Sequence, residues 1–184
     1  MANMDMRQQF IDTALELINE QGTSTRVNLR AIARRIGCSH QNLYNYFPNY
    51  DALLWECMYP ALQRLTGYTT QKLRNTEHPR QRARVFFSSQ LEFAMQNPGI
   101  YSLIWLDSLE GAPSQQVVEK LGFASAQFQQ YVQQLGGGPA DIIHGYLHGS
   151  ICKMLKKRVP VEQWQQYQEQ VVENCLFLMT GGEQ

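Results

Sequence analysis

The chain has 184 residues, of which 43% are hydrophobic and 17% charged, and its 16 basic and 16 acidic side chains balance. Its length suggests a small domain joined to a larger one. No apolar run approaches the roughly 20 residues that span a bilayer, no apolar segment marks a signal peptide near the amino terminus, and the four cysteines show no C-x-x-C spacing. We therefore expect a cytoplasmic protein without a disulfide framework or a cysteine-rich zinc site.

The first predicted element is an amphipathic helix over residues 5–21. Its apolar residues recur at helical spacing: Phe10, Ala14, Leu17 and Ile18. Gly22 follows the last turn, where a residue in the left-handed conformation commonly ends a helix.

Two short helices follow across a tight turn. Asn28 is a suitable cap for a helix whose apolar residues fall on one face: Leu29, Ile32, Ala33 and Ile36. Gly37 marks its end, and Ser39 is a suitable cap for the next helix. One helix therefore ends and another begins within about three residues, which is the spacing of a helix-turn-helix.

The helix after the turn is predicted to bury Leu43 and Phe47, which are four residues apart. Its remaining positions carry amides, phenols and an imidazole: His40, Gln41, Asn42, Tyr44, Asn45 and Tyr46. A polar stripe beside a packed face is typical of a helix that reads base edges in the major groove of DNA.

The motif from Ile32 to Leu54 resembles the amino-terminal domain of the tetracycline-repressor (TetR) family. The matching elements are Ile32-Ala33, Gly37-x-Ser39, Leu43-Tyr44, Phe47 and Leu53-Leu54. The family pattern is I-A-x-x-x-G-V-S-x-x-x-L-Y-x-H-F-x-x-K-x-x-L, and the resemblance covers roughly residues 5–55. The resemblance implies that Ser39 and Tyr44 contact the phosphate backbone of DNA. It also places Tyr50 where relatives carry a phosphate-binding lysine.

The candidate DNA-binding residues combine this resemblance with the polar face of the helix after the turn. They are Asn28, Arg30, Ser39, His40, Gln41, Asn42, Tyr44, Asn45, Tyr46 and Tyr50. Five arginines and five acids balance through residue 54, so phosphates must be met locally by Arg26, Arg30, Arg34 and Arg35, with Arg7 as a further candidate. The alternative is that these arginines form an ordinary solvated helix face.

The rest of the chain is predicted to be helical. Asn49 is a suitable cap for a fourth helix that runs toward residue 74, and Pro60 is expected to kink or interrupt it. Further helices are predicted over residues 79–96, 99–108, 114–135, 139–157 and 162–180. The predicted fold is all-α, with a helix-turn-helix DNA-binding domain at 1–54 and a helical effector-binding and dimerisation domain at 55–184.

Large apolar and amphipathic side chains in the second domain are candidates for an effector pocket, because such pockets are mostly apolar with a few placed polar groups. The candidates are Tyr59, Phe87, Gln90, Tyr101, Trp105, Phe123 and Gln127. The alternative for each is that it fills the core.

The last two helices are predicted to form a homodimer interface, because apolar residues recur along both of them and the TetR resemblance implies a four-helix interface there. The candidates are Tyr146, Gly149, Trp164, Tyr167, Val171, Cys175 and Leu178. Gly145 and Gly149 suggest close backbone packing, since each costs about 1 kcal/mol of helix propensity relative to alanine. The alternative is an intrachain core.

His144, His148 and Cys152 lie four residues apart along one helix. Histidines at this spacing can share a metal ion, although three successive ligands form a shallow line. The alternative is a pair of neutral, hydrogen-bonded histidines, and no metal or cofactor is assigned.

No nucleophile elbow, phosphate-binding glycine loop or paired carboxylates indicate catalysis. The sequence therefore predicts a DNA-binding transcriptional regulator: a homodimeric repressor that leaves its operator when a small-molecule effector binds. The chief alternative is a helical ligand- or metal-binding protein that no longer binds DNA, and an enzyme is a distant third.

Overall fold

The computed structural model describes residues 5–135 and 138–180, apart from eight side chains between positions 120 and 135. These residues form α-helices and two 3₁₀ turns, without a β-strand. The helices are α1 (Met6–Gln21), α2 (Leu29–Ile36), α3 (His40–Tyr44), α4 (Tyr50–Leu73), α5 (Pro79–Gln96), α6 (Pro98–Trp105), α7 (Gln115–Leu135), α8 (Ala140–Leu155) and α9 (Trp164–Met179). None of the described helices is long and apolar enough to span a bilayer.

The predicted helix ends around the helix-turn-helix are confirmed. The Asn28 side chain accepts a hydrogen bond from the amide of Ala31 at 3.0 Å and so caps α2. Gly37 ends α2 with a φ of 84°, in the left-handed region where glycine has no steric penalty. Asn49 accepts from the amide of Ala52 at 2.8 Å and caps α4.

The helix-turn-helix is held together by an apolar core. The fully buried side chains include Phe10 and Ile18 from α1, Ile32 from α2 and Leu43 from α3. Phe47 packs edge-on against Phe10, with ring centroids 6.4 Å apart. Because burial of each such side chain contributes about 1.5–3 kcal/mol, this small core accounts for the fixed arrangement of the three helices.

Pro60 lies inside α4 and does not interrupt it, since the helix runs from Tyr50 to Leu73. The expected interruption is therefore absent, although proline supplies no amide to the helix at that position.

Contacts between Cα atoms divide the chain into two compact units. Among the described residues, the first unit contains those up to Arg64 together with Asn97–Leu121, and the second contains Leu65–Gln96 together with those from Gly122 onward. This division differs from the predicted boundary after residue 54. The physical reason is that α6 packs against α1, which brings a segment distant in sequence into the unit of the helix-turn-helix.

In the second unit, α5, α8 and α9 pack against one another. Two residues of the apolar stripe of α9 that is predicted to face a second subunit, Val171 and Cys175, instead lie within this core and are 0% exposed. Their assignment to the dimer interface is therefore wrong. Trp164, Tyr167 and Leu178 are partly exposed, and Trp164 donates its indole N–H to the carbonyl of Val159 at 3.0 Å.

Candidate nucleic-acid interface

The turn between α2 and α3 has the length and caps of a helix-turn-helix. Only Gly37, Cys38 and Ser39 separate the two helices. The Ser39 hydroxyl accepts from the amide of Asn42 at 3.4 Å, which caps α3. α3 ends at Tyr44, three residues before Phe47, and is thus shorter than the sequence pattern indicates.

The predicted reading residues occupy the surface of α3 and the residues that follow it. His40, Gln41, Tyr44 and Asn45 are exposed, and Asn42 is half-buried. The ring of Tyr46 lies 5.5 Å from that of Phe10, so this side chain also packs on α1. These contacts leave a polar surface directly opposite the buried Leu43.

Two of the five arginines predicted to meet phosphate are paired with carboxylates. Arg35 makes two hydrogen bonds to Glu20, at 3.1 and 2.8 Å, and this pairing raises the pKa of the guanidinium. Arg7 bonds Glu56 at 3.0 Å. Exposed pairs of this kind are weak and can exchange partners.

The other three arginines of this region, Arg26, Arg30 and Arg34, are exposed and make no ion pair within the described residues. Their guanidinium groups are therefore the ones most available to bind DNA phosphates.

Tyr50 lies at the start of α4, where the resemblance places it. Its hydroxyl donates to the carbonyl of Ser24 at 2.9 Å, and burial, with the neighbouring Cys57 and Asp107, raises the pKa of this phenol. The single O–H is therefore used inside the first unit in this structure, and the role of Tyr50 in DNA binding stays a prediction.

The structure also reveals a carboxylate that the sequence analysis did not single out. Asp107, just after α6, accepts hydrogen bonds from the Ser24 amide at 2.8 Å, the Ser24 hydroxyl at 2.6 Å and the Thr23 hydroxyl at 3.0 Å. The Ser102 hydroxyl donates a fourth at 2.8 Å. Burial raises the pKa of Asp107, but these donors outweigh it and hold the pKa below its usual value.

A second connection lies three residues further on. The Glu110 amide donates to the Asp51 carboxylate at 3.0 Å, and the indole N–H of Trp55 donates to the Glu110 carbonyl at 2.9 Å. The segment after α6 is therefore bonded both to the turn before α2 and to the first turns of α4.

The predicted effector residues fall in both units. Tyr59, Tyr101 and Trp105 belong to the first, Phe87, Gln90 and Phe123 to the second, and the side chain of Gln127 lies outside the described residues. Phe87 and Tyr101 are buried, Trp105 and Phe123 are exposed, and Gln90 donates to the Thr69 hydroxyl at 2.8 Å. Their role in binding an effector stays a prediction.

The second unit carries an open cleft of about 350 Å³ near the start of α5. It is lined by His78, Arg80, Gln81 and Arg84. It shares no residue with the predicted apolar pocket.

His144 and His148 stack with ring centroids 6.1 Å apart, and the Cys152 sulfur lies 3.7 Å from Nε2 of His148. Burial lowers the pKa of both histidines, which favours their neutral forms. Within the described part of the chain, no three histidine, cysteine or acidic side chains are grouped to hold a metal ion.

The tight turn, its caps and the polar surface of α3 define a helix-turn-helix DNA-binding protein. Residues 10–57 match the family model for bacterial regulatory proteins of the tetR family. The match covers about a quarter of the chain, and it identifies residues 10–57 as a helix-turn-helix domain of the kind found in these bacterial regulatory proteins.

Similar proteins extend the likeness over most of the chain. The nucleoid occlusion factor SlmA of Actinobacillus pleuropneumoniae serotype 5b is 23% identical over 179 residues, covering 90% of this chain and 89% of the relative. A protein of unknown function from Rhodococcus sp. RHA1 shares the fold with a TM-score of 0.76 at 19% identity, covering 95% of each chain. A tetR-family regulator from Shewanella sp. PV-4 has a TM-score of 0.64 at 22% identity, with coverage of 95% and 96%.

Proposed function

We propose that this chain is a homodimeric repressor that binds a near-palindromic operator and leaves it when a small molecule binds the helical domain. The observation that carries the proposal is the polar surface of α3, held opposite buried Leu43 by the caps of the two short helices. The DNA of a bacterial cell lies in the cytoplasm, so we place the protein there. We propose no catalytic step for it.

Base recognition is assigned to amide side chains. Gln41 and Asn45 are exposed on this surface, and glutamine and asparagine can bond the N6 and N7 edge of adenine in the major groove. Ser39 and Tyr44 are assigned to the backbone, where contacts set register and orientation rather than sequence preference.

A second copy of the chain is proposed to cover the outer surface of α8 and α9, defined as Ile142, Gly145, Gly149, Gln170, Asn174 and Phe177. All six residues are exposed, and α8 and α9 are joined beside them by a hydrogen bond of 2.6 Å from Asn174 to the Tyr146 hydroxyl. A Cβ added at Gly145 or Gly149 would meet nothing within 4 Å among the described residues of the same chain. Close packing within the chain therefore does not explain these two helix glycines, whereas packing against another helix does.

The effector is proposed to act by differential binding. A ligand that binds one arrangement of the dimer more tightly shifts the population toward that arrangement. Operator release then requires only that the favoured arrangement no longer matches half-sites about 34–36 Å apart.

Selection of bound sequences from random DNA tests the proposed function. We expect a near-palindromic site for the unaltered protein. Gln41→Ala is expected to relax the preference at one position of each half-site by about 1–3 kcal/mol, and Tyr44→Ala to weaken all sequences alike.

Gln116→Ala is the matched control, because Gln116 is equally an exposed glutamine but lies on α7. Enrichment of no sequence by the unaltered protein would contradict the proposal. An unchanged preference in Gln41→Ala would contradict the assignment of that side chain to a base.

The arginines provide a separate prediction about salt. Each neutralised phosphate contributes about 0.9 to the slope of log affinity against log salt concentration. Arg30 makes no ion pair among the described residues, whereas Arg35 is paired with Glu20. We expect Arg30→Gln to flatten the slope by nearly two units per dimer, at about 0.9 for each lost contact, and Arg35→Gln to change it less. Titrations of operator DNA from low to moderate salt measure both slopes, and equal slopes for the two variants would refute the assignment.

The name of the SlmA relative suggests a second candidate function, a role in nucleoid occlusion, and its match extends over 90% of this chain. Mapping of bound chromosomal sites distinguishes the two. Sites confined to a few promoters favour the repressor, and sites spread over the chromosome favour the second candidate.

A further inference from the structure

A carboxylate outside the helix-turn-helix holds the chain that leads into it. We propose that Asp107 is a positioning residue for DNA recognition, which acts by fixing Thr23 and Ser24 just before α2. This inference rests on the proposed function. It adds a residue that is 83 positions away from Ser24 in sequence and touches no DNA in the proposed interface.

Ser24 is held from two sides. Both its amide and its hydroxyl donate to one oxygen of Asp107, while its carbonyl accepts from Tyr50 at the start of α4. Ser24 is only 2% exposed, so water cannot readily replace these partners. A carboxylate that accepts four hydrogen bonds is a strong anchor, since hydrogen bonds to charged groups exceed neutral ones in strength.

The anchored turn is close to the reading elements. The 3₁₀ turn of Ser24–Arg26 is followed by buried Val27 and then by Asn28, the cap of α2. Because only three residues separate Ser24 from Asn28, a displacement of Ser24 also moves the start of α2. The same displacement breaks the bond to Tyr50 and so reaches α4 as well.

If the Asp107 carboxylate is removed, its electrostatic role and its positioning role predict opposite changes in the affinity for operator DNA. DNA is a polyanion, so loss of a negative charge from the DNA-binding unit favours binding. If Asp107 instead positions the helix-turn-helix, its loss weakens binding to the operator despite the favourable change in charge.

The experiment compares Asp107→Ala, Asp107→Asn and Glu110→Ala in the full chain. The probe is a fluorescent duplex that carries the selected operator, and a scrambled duplex reports non-specific binding at the same salt concentration. Glu110→Ala is the matched control, because it removes the same charge three residues away while the bonds of Glu110 to Asp51 and Trp55 use its backbone.

Asp107→Ala removes all four hydrogen bonds, and we expect it to weaken operator binding by about tenfold or more, since the loss of even one hydrogen bond to a charged group has an effect of this size. Binding to the scrambled duplex should stay within about twofold, because it depends on charge rather than on groove geometry. Asp107→Asn is expected to remain within about threefold of the unaltered protein, since hydroxyl groups can accept from its amide while its oxygen accepts from Ser24. Glu110→Ala should bind equally or slightly more tightly.

Hydrogen exchange at the Ser24 amide gives a readout that needs no DNA. We expect faster exchange in Asp107→Ala than in Glu110→Ala. If Asp107→Ala does not fold, Ser24→Ala replaces it, since this change removes only the hydroxyl donor and is expected to weaken operator binding several-fold.

Equal or tighter operator binding by Asp107→Ala overturns the inference, as does an Asp107→Asn variant that loses as much affinity as Asp107→Ala. For Ser24→Ala, unchanged operator binding overturns it. Failure of the unaltered protein to bind any DNA is a different result, because it contradicts the proposed function itself.

Discussion

Replacement of Gly99 by alanine will destabilise the first compact unit by about 1–3 kcal/mol or more. A Cβ at this position would overlap the carbonyl oxygen of Ile18 and would lie 2.5 Å from its carbonyl carbon and 2.7 Å from the Cα of Asn19. All three atoms belong to the backbone of α1, so no side-chain rotation can relieve the overlap. α6 must therefore move away from α1 or the main chain must distort, and both changes open the core that contains Ile18.

Gly67→Ala is the matched control for this substitution. Gly67 lies in the exposed part of α4, and a Cβ added there would meet nothing within 4 Å in the part of the chain that the structure describes. Because alanine has the higher helix propensity, we expect this variant to be more stable by about 1 kcal/mol.

Urea denaturation followed by circular dichroism measures both changes in the free energy of unfolding. A Gly99→Ala variant as stable as the unaltered protein would show that α6 does not pack this closely on α1.

The helix ends were predictable because their determinants are local. Asn28, Gly37 and Ser39 each act on groups within four residues, through a side-chain cap or a left-handed φ. The residue types alone therefore indicate where α2 ends and α3 begins. For the same reason, the sequence places the polar side chains of α3 on a surface opposite Leu43.

The distant bonds were not predictable from spacing. Nothing near Asp107 in the sequence indicates that its carboxylate accepts from Thr23 and Ser24. The position of Tyr50 matched a phosphate-binding lysine in relatives, yet its hydroxyl bonds the Ser24 carbonyl. The two contacts join residues that are 83 and 26 positions apart in sequence, so they depend on the tertiary structure.

The outer surface of α8 and α9 shows what an apolar sequence pattern does not predict. An apolar spacing of three and four residues identifies a buried face, but it does not identify what covers that face. In α9 the stripe through Val171 and Cys175 is covered by the same chain. The surface left for a second copy is less regular, with glycines and amides between two large apolar side chains.

The double substitution Ile142→Glu with Phe177→Glu will convert the proposed dimer to a monomer. Both side chains belong to the outer surface of α8 and α9, at 60% and 61% exposure in the single chain. Four carboxylates placed in a desolvated, symmetric interface would be repelled and left without partners, which costs several kcal/mol. Light scattering should show the mass falling from about twice 21.2 kDa to 21.2 kDa.

Operator binding will be lost together with the dimer. A dimer binds its second half-site intramolecularly, and separation of the two copies removes this gain, which is typically 10²–10⁴-fold in affinity. Since the helix-turn-helix lies in the other compact unit, its fold should be unaffected. The far-ultraviolet circular dichroism spectrum is therefore expected to stay the same while operator affinity falls by about 10²-fold or more.

Val161→Glu is the control, because Val161 is also a large exposed apolar residue, at 67% exposure, but lies in the turn before α9. We expect this variant to remain a dimer and to bind the operator as tightly as the unaltered protein. If the double variant is still a dimer while Val161→Glu is a monomer, the second copy binds near the turn before α9. If both variants remain dimers, the contact lies elsewhere on the chain, and the glycines of α8 need another explanation.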